Sequence, residues 1–443
     1  MPSKVIRDPL YNYIPIDLKG RDPWLVELLD CPEVQRLRRV HQLGVSELTY
    51  PGASHTRLAH TLGVLHLMQQ MYQHIERIRP DESVSICRAR LLAAAVLHDV
   101  GHGPFSHLFE TCLGIDHEEW SVKIVRDPAS GVNEVLRNLD PPLPNIVAQL
   151  LEKDNYELPQ WQKFLLSSQL DVDRMDYLRR DSLFTGSGYG HFDWYRLINT
   201  LEFHDGPGDQ LDIVWPEKAK FAIEEYIFAR YYMYQNVYLH KTTRGFEKML
   251  EAMWARAKRL NDDGTDVELV PTISAYWKAE NPTVEQYLAI EEFTVLQQIE
   301  QWRAHDDKSL SDLARRFLHR DQFAMIEAPP HLDNLADGNK EWEEALRKTV
   351  NQAGYDPPES YCLCDHLKGK YNQPYFPEKE SDEQSAKNAI RIIVNGDRQP
   401  IEISELLERL QPITKGSGDR YRYYVPRDVR EKAKKLSAQW RAK

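Results

Sequence analysis

The stretch LLAAAVLHDVGHGPFSH, residues 91–107, sets the architecture of the whole chain. Its apolar first half predicts a buried helix, which runs into His98 and Asp99 and then into a glycine-broken turn with His102 and His107. Imidazoles and a carboxylate at the end of a buried helix are costly to leave without partners. They are either hydrogen-bonded or solvated groups of an ordinary turn, or ligands of a divalent metal ion. Their density favours the metal ion.

Composition places the 443-residue chain among ordinary globular proteins, with 42% hydrophobic and 28% charged residues. No apolar run is long enough to cross a bilayer, and the start of the chain, MPSKVIRDPL, lacks a signal-peptide core. Five scattered cysteines do not form a disulfide framework, so we expect a cytoplasmic protein without membrane partners. The net charge of −12 argues weakly against a protein that coats nucleic acid.

The order of patterns along the chain predicts a mainly α fold. Residues 1–23, rich in proline and aromatic residues, indicate an extended arm or short strands. An amphipathic helix carrying Arg57 and His60 near its start follows a Pro-Gly turn, and a long helical pattern covers residues 217–260. Beyond residue 327 the composition shifts to proline, glycine and acidic residues.

Two further features bound the domains. Capping boxes are expected at Thr283 with Gln286 and at Ser309 with Asp312, each at the start of a helix. The segment NAIRIIVN predicts a strand in the last part of the chain. We therefore expect a helical catalytic core over residues 1–327 and a small α+β lobe, with a regulatory or oligomerisation role, over residues 328–443.

The segment QLDVDRMDYLRRD, residues 169–181, mixes carboxylates with arginines. Such a pattern is typical of a salt-bridged surface helix, and it is equally compatible with a carboxylate that completes a metal site. His60, the His98–Asp99 pair and one carboxylate from this segment would give two imidazoles and two carboxylates. That set suits one Fe, Mn, Zn, Co or Mg ion and leaves positions open for water and substrate.

Longer motifs give a resemblance to a known family. HTRLAH, HDVGHGPFSH and DVDRMDY, together with IRDPLYNYI and CPEVQRLRRVHQLG, resemble the HD-domain phosphohydrolases. More narrowly, they are similar to the deoxynucleoside triphosphate (dNTP) triphosphohydrolases related to the vertebrate protein that carries a sterile-alpha-motif domain and an HD domain. The similarity runs through nearly the whole chain, and we expect no sterile-alpha-motif domain before it. It implies a helical HD-domain core.

The resemblance also implies roles for individual residues. The implied metal ligands are His60, His98, Asp99 and Asp173. The implied triphosphate contacts are Arg57, Arg174, Tyr177 and Arg230, and the residues around the scissile phosphate are His102, His107 and His117. In this mechanism a metal-activated water attacks the α-phosphorus, and the departing 5′ oxygen takes a proton from His107. The products would be a deoxynucleoside and inorganic triphosphate.

Selection of the sugar follows from the same resemblance. Gln42 and Asp181 would bind the 3′ hydroxyl, while Leu43 and Tyr238 would pack against the 2′ carbon. A ribose hydroxyl buried there without a partner costs about 1–3 kcal/mol. The alternative for Leu43 and Tyr238 is plain core packing.

An activator site between subunits is a further implication, because members of the family are often nucleotide-activated tetramers. The matching residues are Lys4, Val5, Asp30, Gln35, Arg38 and Arg320, which would bind a guanine nucleotide. A second activator pocket is less complete, since Arg196 matches but Pro216 and Ala222 do not. We expect a homo-oligomer, either a tetramer or a dimer, with the 1–23 arm in its interface.

Two other functions are compatible with the same motifs. One is an HD-superfamily phosphodiesterase or nuclease that acts on oligonucleotides or signalling nucleotides. The other is a non-catalytic nucleotide-sensing or nucleic-acid-binding assembly that keeps the metal for structure. The triphosphate-binding cations favour the dNTP triphosphohydrolase over the first, and the intact ligand set disfavours the second.

Overall fold

The computed structural model describes residues 3–106, 110–111, 114–153, 157–206, 211–329, 336–368, 375–377, 389–394, 399–414 and 419–441. The expected mainly α fold is confirmed. The α-helices span Trp24–Asp30, Pro32–Gln35, Arg57–Ile78, Glu82–Ser85, Arg88–Leu97, His117–Arg126, Gly131–Leu139, Leu143–Leu151, Gln160–Leu166, Val172–Thr185, Trp194–Thr200, Lys220–Met233, Lys241–Asp262, Pro271–Trp277, Val284–Leu288, Glu292–Trp302, Lys308–Leu318, Ala336–Asn351, Ile403–Leu406, Gln411–Thr414 and Arg430–Arg441.

The helices around the 91–107 stretch form the centre of the first hydrophobic core. Helix Arg88–Leu97 is buried along its last seven residues because it packs against Arg57–Ile78 and Leu143–Leu151. Full burial of one leucine side chain contributes about 1.5–3 kcal/mol to folding, so this helix is firmly held. A second core gathers around helix Lys241–Asp262 and holds the indoles of Trp254 and Trp302.

In the part of the chain that the structure describes, nine strands form three small sheets. The strands are β1 (Ser3–Asp8), β2 (Asn12–Asp17), β3 (Glu202–Asp205), β4 (Leu211–Pro216), β5 (Ala324–Glu327), β6 (Leu363–Leu367), β7 (Arg391–Ile393), β8 (Ile401–Glu402) and β9 (Arg420–Val425). The β1–β2 hairpin confirms the short strands expected in the arm, and β7 confirms the strand expected at NAIRIIVN.

The remaining sheets join distant parts of the chain. One has the order β3-β4-β7-β8, with β4 and β7 parallel, and the other has the order β5-β9-β6 with antiparallel neighbours. Strands that follow residue 327 thus pair both with β4 and with β5. The division at residue 327 stays a prediction.

The expected helical pattern over residues 217–260 is corrected. A π-helical turn at Tyr234–Tyr238 separates helix Lys220–Met233 from helix Lys241–Asp262.

The capping box expected at Thr283 is confirmed.

The expectation of a capping box at Ser309 is wrong. The helix begins earlier, at Lys308, and Asp307 caps it by accepting a 2.8 Å hydrogen bond from the backbone N–H of Leu310.

Candidate metal and phosphate site

The candidate ligands begin where a buried helix ends. His98 is the C-cap of helix Arg88–Leu97, and its Nδ1 lies 3.0 Å from the carbonyl oxygen of Ala95. A carbonyl oxygen can accept a hydrogen bond but cannot donate one. Nδ1 therefore carries the hydrogen, and Nε2 keeps its lone pair. That Nε2 lies 3.3 Å from Nε2 of His60, on the neighbouring helix Arg57–Ile78.

Two carboxylates complete the cluster. Oδ1 of Asp173 lies 3.0 Å from Nε2 of His60 and 3.7 Å from Nε2 of His98. Asp99 places Oδ1 3.4 Å from Nε2 of His98 and Oδ2 3.7 Å from Nε2 of His60. The structure therefore brings together all four residues that the resemblance implies as ligands.

The spacing of these atoms fits one divalent cation. Ligand atoms about 2.1 Å from a common metal lie about 3.0–3.4 Å from one another in octahedral or tetrahedral geometry. Two imidazoles and two carboxylates are the nitrogen and oxygen ligands that Fe, Mn, Co, Zn and Mg accept. The cluster can hold a divalent metal ion, and the donor set does not select among these metals.

The start of helix Val172–Thr185 sorts the acidic residues of the 169–181 segment. Asp171 is the N-cap, and its carboxylate accepts hydrogen bonds from the backbone N–H groups of Arg174 and Ser168, each at 2.7 Å. Burial raises the pKa of Asp171 to about 6 despite the charge of Arg174. Asp171 therefore holds the helix start, and Asp173, in the first turn, faces the cluster.

A support for His60 was missed by the sequence analysis. Oδ2 of Asp176 lies 2.8 Å from Nδ1 of His60, and the same carboxylate accepts hydrogen bonds from Arg180 at 2.8 and 3.0 Å. Arg180 also donates to Asp8 of β1 at 2.9 Å. The signal was the spacing, since residues 173, 176 and 180 fall on one helix face.

Charges in the cluster act against the effect of burial. Burial disfavours the imidazolium, yet Asp173 and Asp176 raise the pKa of His60 to about 10. Burial also disfavours the Asp99 carboxylate, but Arg57 and the neighbouring imidazoles hold its pKa well below the usual range. A metal ion needs neutral imidazole and ionised carboxylate, so its binding would release the His60 proton.

Arg57 is engaged inside the cluster. Its Nη1 donates to Oδ2 of Asp99 at 2.5 Å, and its Nε donates to Oγ of Ser106 at 2.9 Å. Ser106 has a left-handed φ of 56° and also donates to the carbonyl oxygen of His41 at 2.9 Å. Arg57 thus orients a candidate ligand and the turn after it, and contact of Arg57 with a triphosphate stays a prediction.

The guanidinium groups of Arg230 and Arg174 carry buried nitrogens that have no hydrogen-bond partner among the described residues. Arg230 is only 6% exposed, and its Nε and Nη1 have no hydrogen-bond partner among the described residues. Nε of Arg174 is equally without one, although its Nη1 pairs with Asp171. Burial raises the pKa of the Tyr177 phenol, and the charges of Arg174 and Arg230 oppose that rise. Buried guanidinium N–H groups of this kind are suited to phosphate oxygens.

Two histidines stack beside the cluster. The rings of His102 and His117 are 3.7 Å apart and nearly parallel, and Oε1 of Glu110 lies 2.7 Å from Nδ1 of His117 and 3.4 Å from Nδ1 of His102. Burial and the charges of Arg57 and His117 lower the pKa of His102 to about 3, so it is neutral at neutral pH. The expected acid, His107, lies outside the described residues.

Three of the four residues expected at the sugar are joined by hydrogen bonds through His55. Asp181 accepts hydrogen bonds from Tyr238 at 2.8 Å and pairs with Nε2 of His55 at 2.7 Å. The backbone N–H of Gln42 donates to the carbonyl oxygen of His55 at 3.0 Å, and Leu43 is half-buried beside it. His55 was missed, because a lone histidine before a helix carries no functional signal of its own.

A buried carboxylate from a distant helix holds two loops of the site together. Glu292 accepts from the backbone N–H groups of His41 at 2.7 Å and Phe105 at 3.2 Å, and it also pairs with the imidazole of His41. Gly44, at φ 53°, lies so close to Phe105 that a Cβ would be 2.9 Å from its carbonyl oxygen. Glu292 was also missed by the sequence analysis.

The residues expected at the activator site include two pairs of interacting side chains. Nζ of Lys4 is 3.7 Å from Oδ2 of Asp30, and Arg38 donates to Oε1 of Gln35 at 2.6 Å. Val5 is half exposed on β1.

Arg320 donates to the carbonyl oxygen of Leu48 at 2.7 Å. Within the described residues no hydrogen bond or ion pair joins Arg320 to the other five activator positions. The activator site stays a prediction.

Comparison with known proteins decides the family. Residues 57–181 match the family model described as the HD domain, and residues 192–271 match the HD-associated region. The uncharacterized protein YwfO of Bacillus subtilis is 36% identical over 431 residues, which are 96% of this chain and 93% of that protein. This chain belongs to the HD-domain family. The HD-domain match begins and ends on two residues described above, Arg57 and Asp181.

Two other relatives of this HD-domain protein carry functional names. The deoxynucleoside triphosphate triphosphohydrolase SAMHD1 of Gallus gallus is 28% identical over 287 residues, covering 57% of this chain and 45% of that protein. A crystal structure of a phosphohydrolase from Bacteroides thetaiotaomicron is 28% identical, with a TM-score of 0.77 over 96% of this chain and 100% of that one. These similarities support a hydrolase. Among the described residues, no helix is long and apolar enough to span a membrane.

Proposed function

We propose that this HD-domain protein hydrolyses deoxynucleoside triphosphates to a deoxynucleoside and inorganic triphosphate. The observation that carries the proposal is the buried guanidinium of Arg230, which has two unpartnered nitrogens within the described chain. A buried cation without a partner is costly, and a polyphosphate would satisfy both nitrogens. The relatives named dNTP triphosphohydrolases support the same substrate class.

The proposed metal ligands are His60, His98, Asp99 and Asp173. A divalent metal bound there would supply a Lewis acid that lowers the pKa of bound water toward neutral pH. Asp176 keeps Nε2 of His60 turned toward that position, and such outer carboxylates commonly decide ligand orientation.

Four side chains would bind and orient the triphosphate. Arg230 and Arg174 would present guanidinium N–H groups to the phosphate oxygens, Tyr177 would add its phenol, and Arg57 would contribute from its position beside Asp99. Charge that develops on those oxygens in the transition state is stabilised by the same donors.

His102 and His117 would line the α-phosphate, where a neutral imidazole of His102 donates a hydrogen bond. In the reaction, a bond forms between the water oxygen and the α-phosphorus, and the bond from phosphorus to the 5′ oxygen breaks. His107 gives the 5′ oxygen its proton, in keeping with the family resemblance.

The proposed sugar site combines the network around Asp181 with two packing residues. Gln42 and Asp181 bind the 3′ hydroxyl, and Leu43 and Tyr238 fill the space beside the 2′ carbon. In support, Oε1 of Gln42 is buried without a hydrogen-bond partner among the described residues. A ribose 2′ hydroxyl would be left unpaired in this space, which favours the deoxyribose form.

Regulation and assembly follow the same family pattern in this proposal. A guanine nucleotide bound between subunits of a homo-oligomer would contact the exposed surface formed by Lys4, Val5, Asp30, Gln35 and Arg38, with Arg320 supplied from elsewhere in the assembly. In support, these side chains are polar or exposed and lie on β1 and the following helices. A cytoplasmic location belongs to this proposal as well.

The test is product identification. Purified protein with Mn or Mg is incubated with each dNTP, each ribonucleotide and a single-stranded oligonucleotide, in water enriched in ¹⁸O. We expect inorganic triphosphate that carries the label, from dNTPs only. Release of monophosphate or pyrophosphate, or cleavage of the oligonucleotide, would instead identify a phosphodiesterase or nuclease.

A further inference from the structure

A cleft of about 580 Å³ lies outside every set of residues assigned above. Its lining residues are Arg179, His191, Phe192, Trp194 and Glu225. This volume is within the range of small-molecule pockets. The lining brings one cation, three aromatic rings and one exposed carboxylate to the same space, a combination that the proposed hydrolysis does not use.

Arg179 is the feature that separates this cleft from an ordinary surface groove. The next residue, Arg180, is paired with two carboxylates, whereas Arg179 forms no ion pair among the described residues. Its guanidinium lies 5.0 Å from the ring centre of Tyr11 and 4.8 Å from that of Trp194, and its buried Nη1 has no hydrogen-bond partner in the described chain. The rings hold the cation in place, and its donor is left for a ligand.

A glycine lets the loop with the aromatic residues approach the helix of Arg179. The N–H of Gly190 donates to Oγ of Ser182 at 2.9 Å, and a Cβ at Gly190 would lie 1.9 Å from the carbonyl oxygen of Leu178. Only glycine fits there. The following Phe192 is buried edge-on against Tyr226, with ring centres 5.2 Å apart. Phe192 is therefore firmly held in the wall of the cleft.

We propose that this cleft binds a small aromatic anion, a flat ring joined to a phosphate or carboxylate group. Arg179 would bind the anionic group through its unpartnered Nη1, as a charge-assisted hydrogen bond. The guanidinium of Arg179 lies over one face of the Trp194 indole, and Trp194 would contact the ligand's ring through the part of the indole that lines the cleft. Glu225 repels a second negative charge, so the ligand carries its charge at the Arg179 end only.

The experiment detects binding at the indole itself. The full-length protein is labelled with 5-fluorotryptophan, and the ¹⁹F resonance of Trp194, one of ten tryptophans, is assigned with the Trp194→Phe variant. Phenyl phosphate is the probe, and we expect a saturable shift of this resonance. The readout needs no hydrolysis, so its failure and failure of the proposed function are distinguishable.

Variants test the role assigned to each group. Arg179→Gln should weaken binding of phenyl phosphate at least tenfold, and Arg179→Lys should weaken it less because the charge is kept. Glu225→Gln should tighten binding about threefold by removing the like charge. Arg126→Gln is the matched control, since Arg126 is an exposed arginine that pairs with Glu152, outside the cleft lining.

Two simpler probes separate the parts of the ligand. Inorganic phosphate and phenol should each shift the Trp194 resonance only at concentrations more than tenfold higher than phenyl phosphate. Equal shifts by phosphate and phenyl phosphate would overturn the requirement for a ring. The whole proposal is overturned if phenyl phosphate leaves the resonance unmoved, or if Arg179→Gln and Arg126→Gln bind it equally.

Discussion

Nδ1 of His60 and Oδ2 of Asp176 lie 2.8 Å apart. This hydrogen bond turns Nε2 of His60 toward His98 and Asp99, which stand at the end of the neighbouring helix. Asp176 is itself held by Arg180, which reaches Asp8 in the N-terminal hairpin. The position of a candidate metal ligand therefore depends on a chain of buried charges that leads away from the site.

Breaking this series of buried charges should weaken metal binding. Asp176→Asn removes the charge that favours the Nδ1–H form of His60, and we expect metal affinity to fall about 10–100-fold. Competition with a chromophoric chelator measures the dissociation constant. Asp22→Asn is the matched control, because it removes a buried carboxylate that pairs with Arg88 instead. Equal affinity in the two variants would contradict this role for Asp176.

The buried Arg230 guanidinium should lower the stability of the folded protein and support its activity. Arg230→Met removes two unpartnered buried N–H donors, so we expect the free energy of unfolding to rise by about 1–2 kcal/mol. We expect kcat/KM for dNTPs to fall at least 100-fold, since charge-assisted contacts to phosphate are lost. Urea unfolding and steady-state kinetics check the two effects.

The control for this pair of measurements is Arg259→Met, which removes an arginine whose partner is the exposed Glu359. It should leave kcat/KM unchanged. If Arg230→Met were destabilising and fully active, Arg230 would be a structural residue and not a substrate contact.

Leu43 should set the preference for deoxyribose. Leu43→Ala opens space at the proposed 2′ position, and we expect the ratio of kcat/KM for dNTPs over ribonucleotides to fall about tenfold. Tyr238→Phe keeps its ring and loses only the hydrogen bond to Asp181, so the ratio should hold while KM rises. An unchanged ratio in Leu43→Ala would assign Leu43 to core packing.

Asp307 should make stability depend on pH in the acid range. Burial opposes its ionisation, but hydrogen bonds from Arg256 and the helix start hold its pKa at about 2, below the ordinary 3.8. A depressed pKa stabilises the folded state above the unfolded value, and the effect is lost as pH falls from about 4 to 2. Asp307→Asn should therefore cost about 1 kcal/mol at pH 7 and progressively less below pH 4.

Urea midpoints at pH 7, 5, 3.5 and 2.5 measure this difference. The exposed neighbour Asp306 provides the control, and Asp306→Asn should match the unsubstituted protein at each pH. A constant difference for Asp307→Asn down to pH 2.5 would show that its charge does not contribute.

Local motifs made the ligand cluster predictable from sequence. The His98–Asp99 pair ends an apolar helix, and His60 and Asp173 stand near the starts of two others. The motifs that carry these residues resemble the HD-domain family, and that resemblance implied their convergence. The residue pattern alone left the carboxylate of the 169–181 segment open, because that choice depends on where the helix begins, and the family resemblance implied Asp173. With Asp171 as the cap, Asp173 lies in the first turn, 3.0 Å from Nε2 of His60.

Contacts across long separations were beyond the sequence. Glu292 joins His41 and Phe105 from 251 and 187 residues away, and no pattern around Glu292 signals a buried carboxylate. The break at Tyr234–Tyr238 was missed for another reason, since a π-helical turn keeps apolar residues in nearly helical order.

The most direct test of the central claim is the metal content of the protein, measured by mass spectrometry beside the release of triphosphate. One divalent ion per chain is expected, and His98→Ala and Asp173→Asn should lose the ion and the activity together. The account is contradicted if these variants keep the ion, or if metal-free protein releases triphosphate from a dNTP at the full rate.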